Sequence, residues 1–510
     1  MSKQQNVSSH TQVRDYFNTD HLKADLKQRS VKGGIVTIAA QASKFAFKFG
    51  STIVLARLLL PEDYGLIGMA TVIIGFVEYF KDLGLSTATI QRREINHQQI
   101  STLFWINLGV GCLVALMVAG LAPAIASFYH EPRLKSITLA LAINFVFGGL
   151  TVQHQALLRR QMQFTSLAKI EIIAMAMGVV TAILAAYYGL GYWALVVMLM
   201  VTAIVNAIGV WVACRWRPGL PRKDSEIGSM LAYGGNLTGF GLVNYFSRNL
   251  DNVLIGHRWG SSALGLYDQA YKLLLLPILQ INGPINSVAL PTLSSLQTEP
   301  EKYKKYYYKA ILLISTLGMP IVAFMFACTE PLVLTLLGEQ WSETILIFRC
   351  LAPAAFVGTI NVAEGWVYQS LASTHRMFRW GIASSILNAI IFVWSVQGGI
   401  VHLAIAYSIY SMAIKPISLI YCYQKTPLKI TELIKTIHRP AIASLGAAAL
   451  VAMIEYWSII QTQVLIDLLV YLILYGLSYL FIWLLLPGGR SILLDLVQMV
   501  KNLKKNKRSS

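Results

Sequence analysis

Ionisable residues set into apolar sequence are the groups in this chain that could do chemistry, and Lys44 and Lys48 come first among them. They sit near the middle of Gly33–Leu60, reading GGIVTIAAQASKFAFKFGSTIVLARLLL, a stretch long enough to cross a bilayer. Four residues apart, they share one helix face. An ammonium at the bilayer centre costs roughly 3 kcal/mol or more, so such a residue faces a wet cavity, an anion or a carboxylate on another helix. Arg57, towards the end of the same stretch, either lines that cavity or snorkels to the membrane surface.

Further charges lie within apolar sequence. Glu78 and Asp82 are one helical turn apart with Lys81 between them, which suits a gating or coupling cluster or a solvated helix end. Arg248 and Asp251 are spaced i,i+3, and Asp268 and Lys272 i,i+4. Either pair can neutralise itself within one helix, and together they can form an inter-helix network lining a cavity. Glu364 is a lone intramembrane carboxylate. It is placed to bind a coupling cation or proton, or to pair with Lys44, Lys48 or Lys415. Soluble-type catalytic motifs (a Walker-A loop, HExxH, GxSxG, CxxC) are absent.

These residues need helices to carry them. The chain of 510 residues is 55% apolar and 13% charged, with a mean hydropathy of +0.57. A soluble protein carries about 25% charged residues, so this composition reads as an all-α polytopic membrane protein. Fourteen apolar spans are expected, at about 35–58, 64–85, 103–126, 136–156, 168–188, 191–213, 230–256, 264–290, 308–327, 345–370, 378–397, 400–422, 441–457 and 464–486. Each is long enough for a hydrocarbon core of about 30 Å. With the N-terminus inside, the inner segments hold 31 of the 42 lysines and arginines and the outer loops only three, Arg133, Lys135 and Arg258. That asymmetry is the positive-inside pattern, and it places both termini in the cytoplasm. It also accounts for the net charge of +18 without nucleic acid.

The five cysteines have no paired spacing, so neither a disulfide framework nor a metal site is expected. Residues 1–32 lack the apolar core of a cleavable signal peptide and read as a cytoplasmic tail or an interfacial helix. Pro277, Pro284 and Pro291 recur every seven residues, and Pro320 and Pro353 follow in later spans. Proline removes a backbone donor and kinks a helix, and bent helices suit a bundle that rocks. The loop CRWRPGLPRKDSEIGS, residues 214–229, divides the chain after six spans. A weak repeat crosses this divide. LARLLLPEDYGLIGMA from Leu55 resembles LIGHRWGSSALGLYDQA from Leu254, with Gly65-Leu66 and Gly265-Leu266 separated by 200 residues. Six spans between the copies give a parallel repeat.

The runs VLARLLLPEDYGLIGMATVI and FKDLGLSTATIQRREINHQQISTLFWINLGVG resemble the bacterial polysaccharide transporter family. ALLRRQMQF, GLGYWALV, NLDNVLIGHRWGSSALGLYDQAYKLLLLPI and GEQW follow the same pattern. The likeness covers about Lys32 to Trp341 and is less distinct beyond. Members are flippases for lipid-linked O-antigen, colanic-acid-type, capsule or exopolysaccharide repeat units, in a superfamily with multidrug exporters and the lipid II flippase. The resemblance implies two six-helix lobes, residues 33–213 and 230–422, around a central cavity. Beyond them lie a cytoplasmic loop at 423–440, two further helices at 441–487 and a basic tail at 488–510. The implied activity is alternating-access transfer of an undecaprenyl-pyrophosphate-linked oligosaccharide across the inner membrane, with no cofactor and with cation or proton coupling. Implied partners are the anionic lipid-linked substrate, membrane lipids, and the polysaccharide polymerase and export machinery. Two other readings remain open. A multidrug or lipid II exporter of the same superfamily is one, although a drug exporter of organic cations predicts a carboxylate-dominated cavity. A membrane polysaccharide polymerase or ligase is the other, which the short outer loops disfavour.

Overall fold

The computed structural model describes Phe17 and residues 26–82, 85–92, 94–221, 228–457 and 464–491. Among these residues the fold is entirely helical. The helices are α1 (Leu26–Leu58), α2 (Pro61–Asp82), α3 (Leu85–Gln91), α4 (His97–Phe128), α5 (Arg133–Arg160), α6 (Phe164–Tyr187), α7 (Trp193–Ala213) and α8 (Gly228–Ser295). They continue as α9 (Pro300–Ala327), α10 (Thr329–Leu336), α11 (Thr344–Gly358), α12 (Asn361–Ser370), α13 (Thr374–Ser395), α14 (Ile400–Tyr423), α15 (Ile430–Tyr456) and α16 (Val464–Leu485). Apolar runs of this length become helices because a helix satisfies its backbone polar groups internally, which lipid cannot do. Among the described residues, 11 helical segments are long and apolar enough to cross a membrane. Leu116, Val212 and Leu485 are 73%, 70% and 68% exposed. Such exposure along many helices suits a lipid surround and would aggregate in water.

Local signals set several helix ends. Asn96 caps α4: its Oδ1 accepts from Gln99 N at 2.8 Å, and Gln99 Oε1 accepts from Asn96 N at 3.2 Å. Pro300 opens α9, where a missing N–H costs nothing. The backbone of α8 keeps helical φ/ψ through Pro277, Pro284 and Pro291. Its one non-helical residue is Gly260, with φ +82°, where two helices join end to end. Glycine tolerates that conformation without a Cβ clash. The expected span 345–370 is divided between α11 and α12.

The chain forms two compact units. The first comprises Met1–Leu55 and Ala70–Tyr245, the second Ala56–Met69 and Phe246–Ser510. The end of α1 and the start of α2 therefore pack with the second unit, and the first part of α8 with the first.

A polar spine crosses the first unit. Thr89 donates to Gln153 Oε1 at 2.9 Å, and Gln153 donates to Asn107 Oδ1 at 2.8 Å, all three side chains being fully buried. The segment after α7 is fastened to α4. Trp216 donates to His97 Nδ1 at 3.0 Å, Gly219 N to Ser101 Oγ at 2.9 Å and Trp105 to the Gly219 carbonyl at 2.8 Å.

In the second unit, aromatic side chains do the joining. Tyr307 and Tyr423 share a hydrogen bond of 3.0 Å, and Trp366 donates to Asn286 Oδ1 at 2.7 Å. Along α16, Tyr471, Tyr475, Tyr479 and Trp483 recur every fourth residue and pack against small α15 side chains such as Ala443 and Ala447. Tyr475 donates to the Ser444 carbonyl and Tyr479 to that of Thr316, each at 3.1 Å.

Candidate functional site

The repeated segments meet within the second unit. A Cβ on Gly65 would lie 1.7 Å from the Ser261 carbonyl oxygen, and one on Gly265 would lie 1.8 Å from that of Pro61. The contacts are reciprocal under the 200-residue offset read from the sequence, 65 on 261 and 265 on 61. Helix backbones approach this closely only where both residues lack side chains. The motif GEQW closes the same region. Gln340 and Trp341 both donate to the Ala56 carbonyl, at 2.7 and 2.8 Å, and Trp341 meets Tyr64 edge to face at 5.3 Å. Ala56 lies in the last turn of α1, where carbonyls lack helical partners. Trp341 is fully buried, so it serves as a packed cap rather than as a belt residue at the membrane surface.

The charges fall into distinct groups. On α1, Lys44 is half-buried and ion-paired with Glu171 of α6. Glu171 sits inside the fifth expected span, and its presence there was the sequence signal for this partner. Lys48, one turn on, is exposed and has no side-chain partner among the described residues. Of the two lysines, Lys48 is the one without a carboxylate partner among the described residues. Arg57 is exposed and donates to the Thr335 carbonyl at 2.5 Å, beside the capped end of α1. The side chains of Glu78, Lys81, Asp82 and Arg248 lie outside the described residues.

Asp251 is buried in α8. Its carboxylate accepts from Tyr267, across the Gly260 join, at 3.0 Å and from Asn252 N at 2.9 Å. Asp268, also buried, pairs with Lys272, whose side chain is 61% exposed. A buried carboxylate without a cation is costly unless hydrogen-bonded; Asp251 meets that condition and Asp268 has its lysine.

Glu364 of α12 faces Lys415 of α14 at 2.5 Å. Ser418 donates to the other carboxylate oxygen at 2.5 Å, and Lys415 also donates to Asn361 Oδ1 at 2.6 Å. This cluster forms one wall of a cavity of about 260 Å³ between α12, α13 and α14. Trp380, Asn388, Tyr407 and Tyr410 form other parts of it. Lys415 was legible as a possible partner. Trp380, Asn388, Tyr407 and Tyr410 carry no charge and left no mark in a reading based on charge.

A model of the family described as "Polysaccharide biosynthesis protein" matches residues 54–346, more than half of the chain. The chain belongs to this family. Among similar family proteins is the lipopolysaccharide biosynthesis protein WzxC of Escherichia coli (strain K12). It is 24% identical over 368 residues, covering 71% of this chain and 74% of WzxC. The teichuronic acid biosynthesis protein TuaB of Bacillus subtilis (strain 168) is 25% identical over 340 residues, covering 66% of this chain and 70% of TuaB. In fold, the chain is similar to the lipid II flippase MurJ in an inward closed conformation, with a TM-score of 0.70 at 12% identity, covering 89% of this chain and 98% of MurJ. An inward-facing multidrug resistance MATE family transporter gives a TM-score of 0.60 at 14% identity, covering 76% and 95%. With 11 helical segments among the described residues long and apolar enough to cross a membrane, this member of the family is a multi-pass membrane protein.

Proposed function

We propose that the protein translocates undecaprenyl-pyrophosphate-linked oligosaccharide repeat units across the bacterial inner membrane by alternating access. The observation that carries this reading is membership of the polysaccharide biosynthesis family together with a MurJ-like fold. The relatives WzxC and TuaB are named for lipopolysaccharide and teichuronic acid biosynthesis, and a further relative of Rhizobium meliloti for succinoglycan transport. The named products differ, and each is a polymer that contains saccharide.

The charges support this assignment. Pyrophosphate is an anion, and its attraction to a lysine rises steeply as the local dielectric falls. Lys48 offers an exposed ammonium, and Lys44 has one that Glu171 holds in position until a stronger anion competes. A carrier of organic cations would need carboxylates there instead. Transfer by rocking needs no cofactor. Coupling to a cation or proton would draw on the Glu78, Lys81 and Asp82 cluster and, for a proton rather than a bare cation, on Glu364. The expected orientation, with both termini in the cytoplasm, places the GEQW cap on the outer side. Polymerase and export machinery would then receive the product.

Cells lacking the protein should accumulate lipid-linked repeat units in the inner leaflet. The wild type should restore export, and a stably expressed Lys44→Ala/Lys48→Ala double variant should not. Full export by that variant would remove the lysines from the mechanism.

A further inference from the structure

The cavity between α12, α13 and α14 has a lining that the charge reading of the substrate does not use. We propose that it is a sugar-binding subsite, taking one pyranose ring of the carried saccharide; this rests on the flippase reading above. Its volume of about 260 Å³ lies just below the roughly 300–1,000 Å³ of pockets for drug-sized ligands, which suits a single ring. Ser384, Ser385 and Asn388 fall near the middle of α13, and Tyr407 and Ser411 near the middle of α14. Polar groups at such depth are costly unless something polar answers them.

Three features select the occupant. The first is charge. Glu364 is answered by Lys415, so the wall is close to neutral and attracts neither a bare cation nor a phosphate strongly. The second is unused hydrogen-bonding capacity. Lys415 is 8% exposed and spends two donors, on Glu364 and Asn361, leaving one of its three. Each Glu364 oxygen accepts one bond and can accept another. Asn388 lines the cavity, and its Oδ1 has no hydrogen-bond partner among the described residues; a buried acceptor left unmade costs about 1–3 kcal/mol. A hydroxyl is both donor and acceptor, so a ring carrying several can serve all three groups. The third is the aromatic part of the lining. Trp380, fixed by stacking on Tyr421 at 5.3 Å, and Tyr407 offer apolar surface to the C–H face of a sugar. An acyl chain would leave the polar groups unsatisfied, and an ion would leave the rings unused.

The test uses the full-length protein in lipid nanodiscs, with the five native cysteines replaced and Ser411→Cys introduced in the cavity wall. Two probes are compared, the host's undecaprenyl-pyrophosphate-linked oligosaccharide and undecaprenyl pyrophosphate without sugar. The proposal expects the sugar-bearing lipid to slow labelling by a small water-soluble thiol reagent at least several-fold and the bare lipid to leave it unchanged. In parallel, Asn388→Leu should cut the affinity advantage of the sugar-bearing lipid roughly tenfold, the worth of one hydrogen bond, leaving bare-lipid affinity intact. Equal labelling with both probes, or an unchanged advantage in Asn388→Leu, overturns the subsite if the sugar-bearing lipid binds and is translocated. If that lipid neither binds nor moves, the flippase reading itself fails and the subsite falls with it.

Discussion

Lys44 and Lys415 are lysines within helices, and each has a carboxylate partner far away in sequence, Glu171 and Glu364. The sequence exposes the charge, because an ionised side chain in an apolar run is conspicuous. It does not expose the partner, because the pairing depends on which helices pack together. Two outcomes follow at this scale. Lys415→Met leaves the part-buried Glu364 without its cation, and should destabilise the protein by up to about 3–5 kcal/mol. Adding Glu364→Gln should restore much of the loss, as read by thermal unfolding in detergent. A double variant as unstable as the single one would show that the pair is not the relevant contact. For substrate binding, Lys48→Ala should weaken affinity for undecaprenyl pyrophosphate roughly tenfold or more, the worth of a charge-assisted hydrogen bond. Lys44→Ala should weaken it less, because Glu171 already offsets that ammonium. Equal losses measured by titration would place both lysines on the anion.

The helices themselves were largely legible. Most expected spans fall on described helix, from α1 to α16, and 11 helical segments among the described residues are long and apolar enough to cross a membrane, because length and apolarity suffice where lipid forbids other structures. Their contacts were not. The repeat at Leu55 and Leu254 is visible as a pattern, but nothing in it says that Gly65 and Gly265 rest on each other's segments. Trp341 is visible in the sequence only as part of GEQW, and the packing makes it the cap of α1. The join between two helices within α8 falls at Gly260, whose positive φ glycine adopts without a Cβ clash. Gly→Ala in a helix ordinarily stabilises by about 0.5–1 kcal/mol. At Gly65 and Gly265 the sign should reverse, because the methyl enters a carbonyl oxygen and the helices must part, costing roughly 1–3 kcal/mol. The two losses should be similar, given the reciprocal geometry. A melting temperature that rises in either variant would contradict that packing.

Across the whole molecule, the two units and the family match give a membrane carrier in which Lys44, Lys272 and Lys415 are each paired with a carboxylate. Lys48 stands out as a cation without a partner among the described residues, and the neutral, hydroxyl-seeking cavity of the second unit stands out as a second type of surface. A substrate with an anionic link and a saccharide would use both. The most direct measurement is translocation by the purified protein in liposomes. Lipid-linked oligosaccharide is placed in both leaflets, and its exposure at the outer surface is followed with a membrane-impermeant sugar-modifying enzyme. The prediction is a rate well above protein-free vesicles, lost in the Lys44→Ala/Lys48→Ala variant and not reproduced with an organic-cation drug as cargo. Protein that binds the lipid-linked oligosaccharide yet exposes it no faster than empty vesicles would contradict the account.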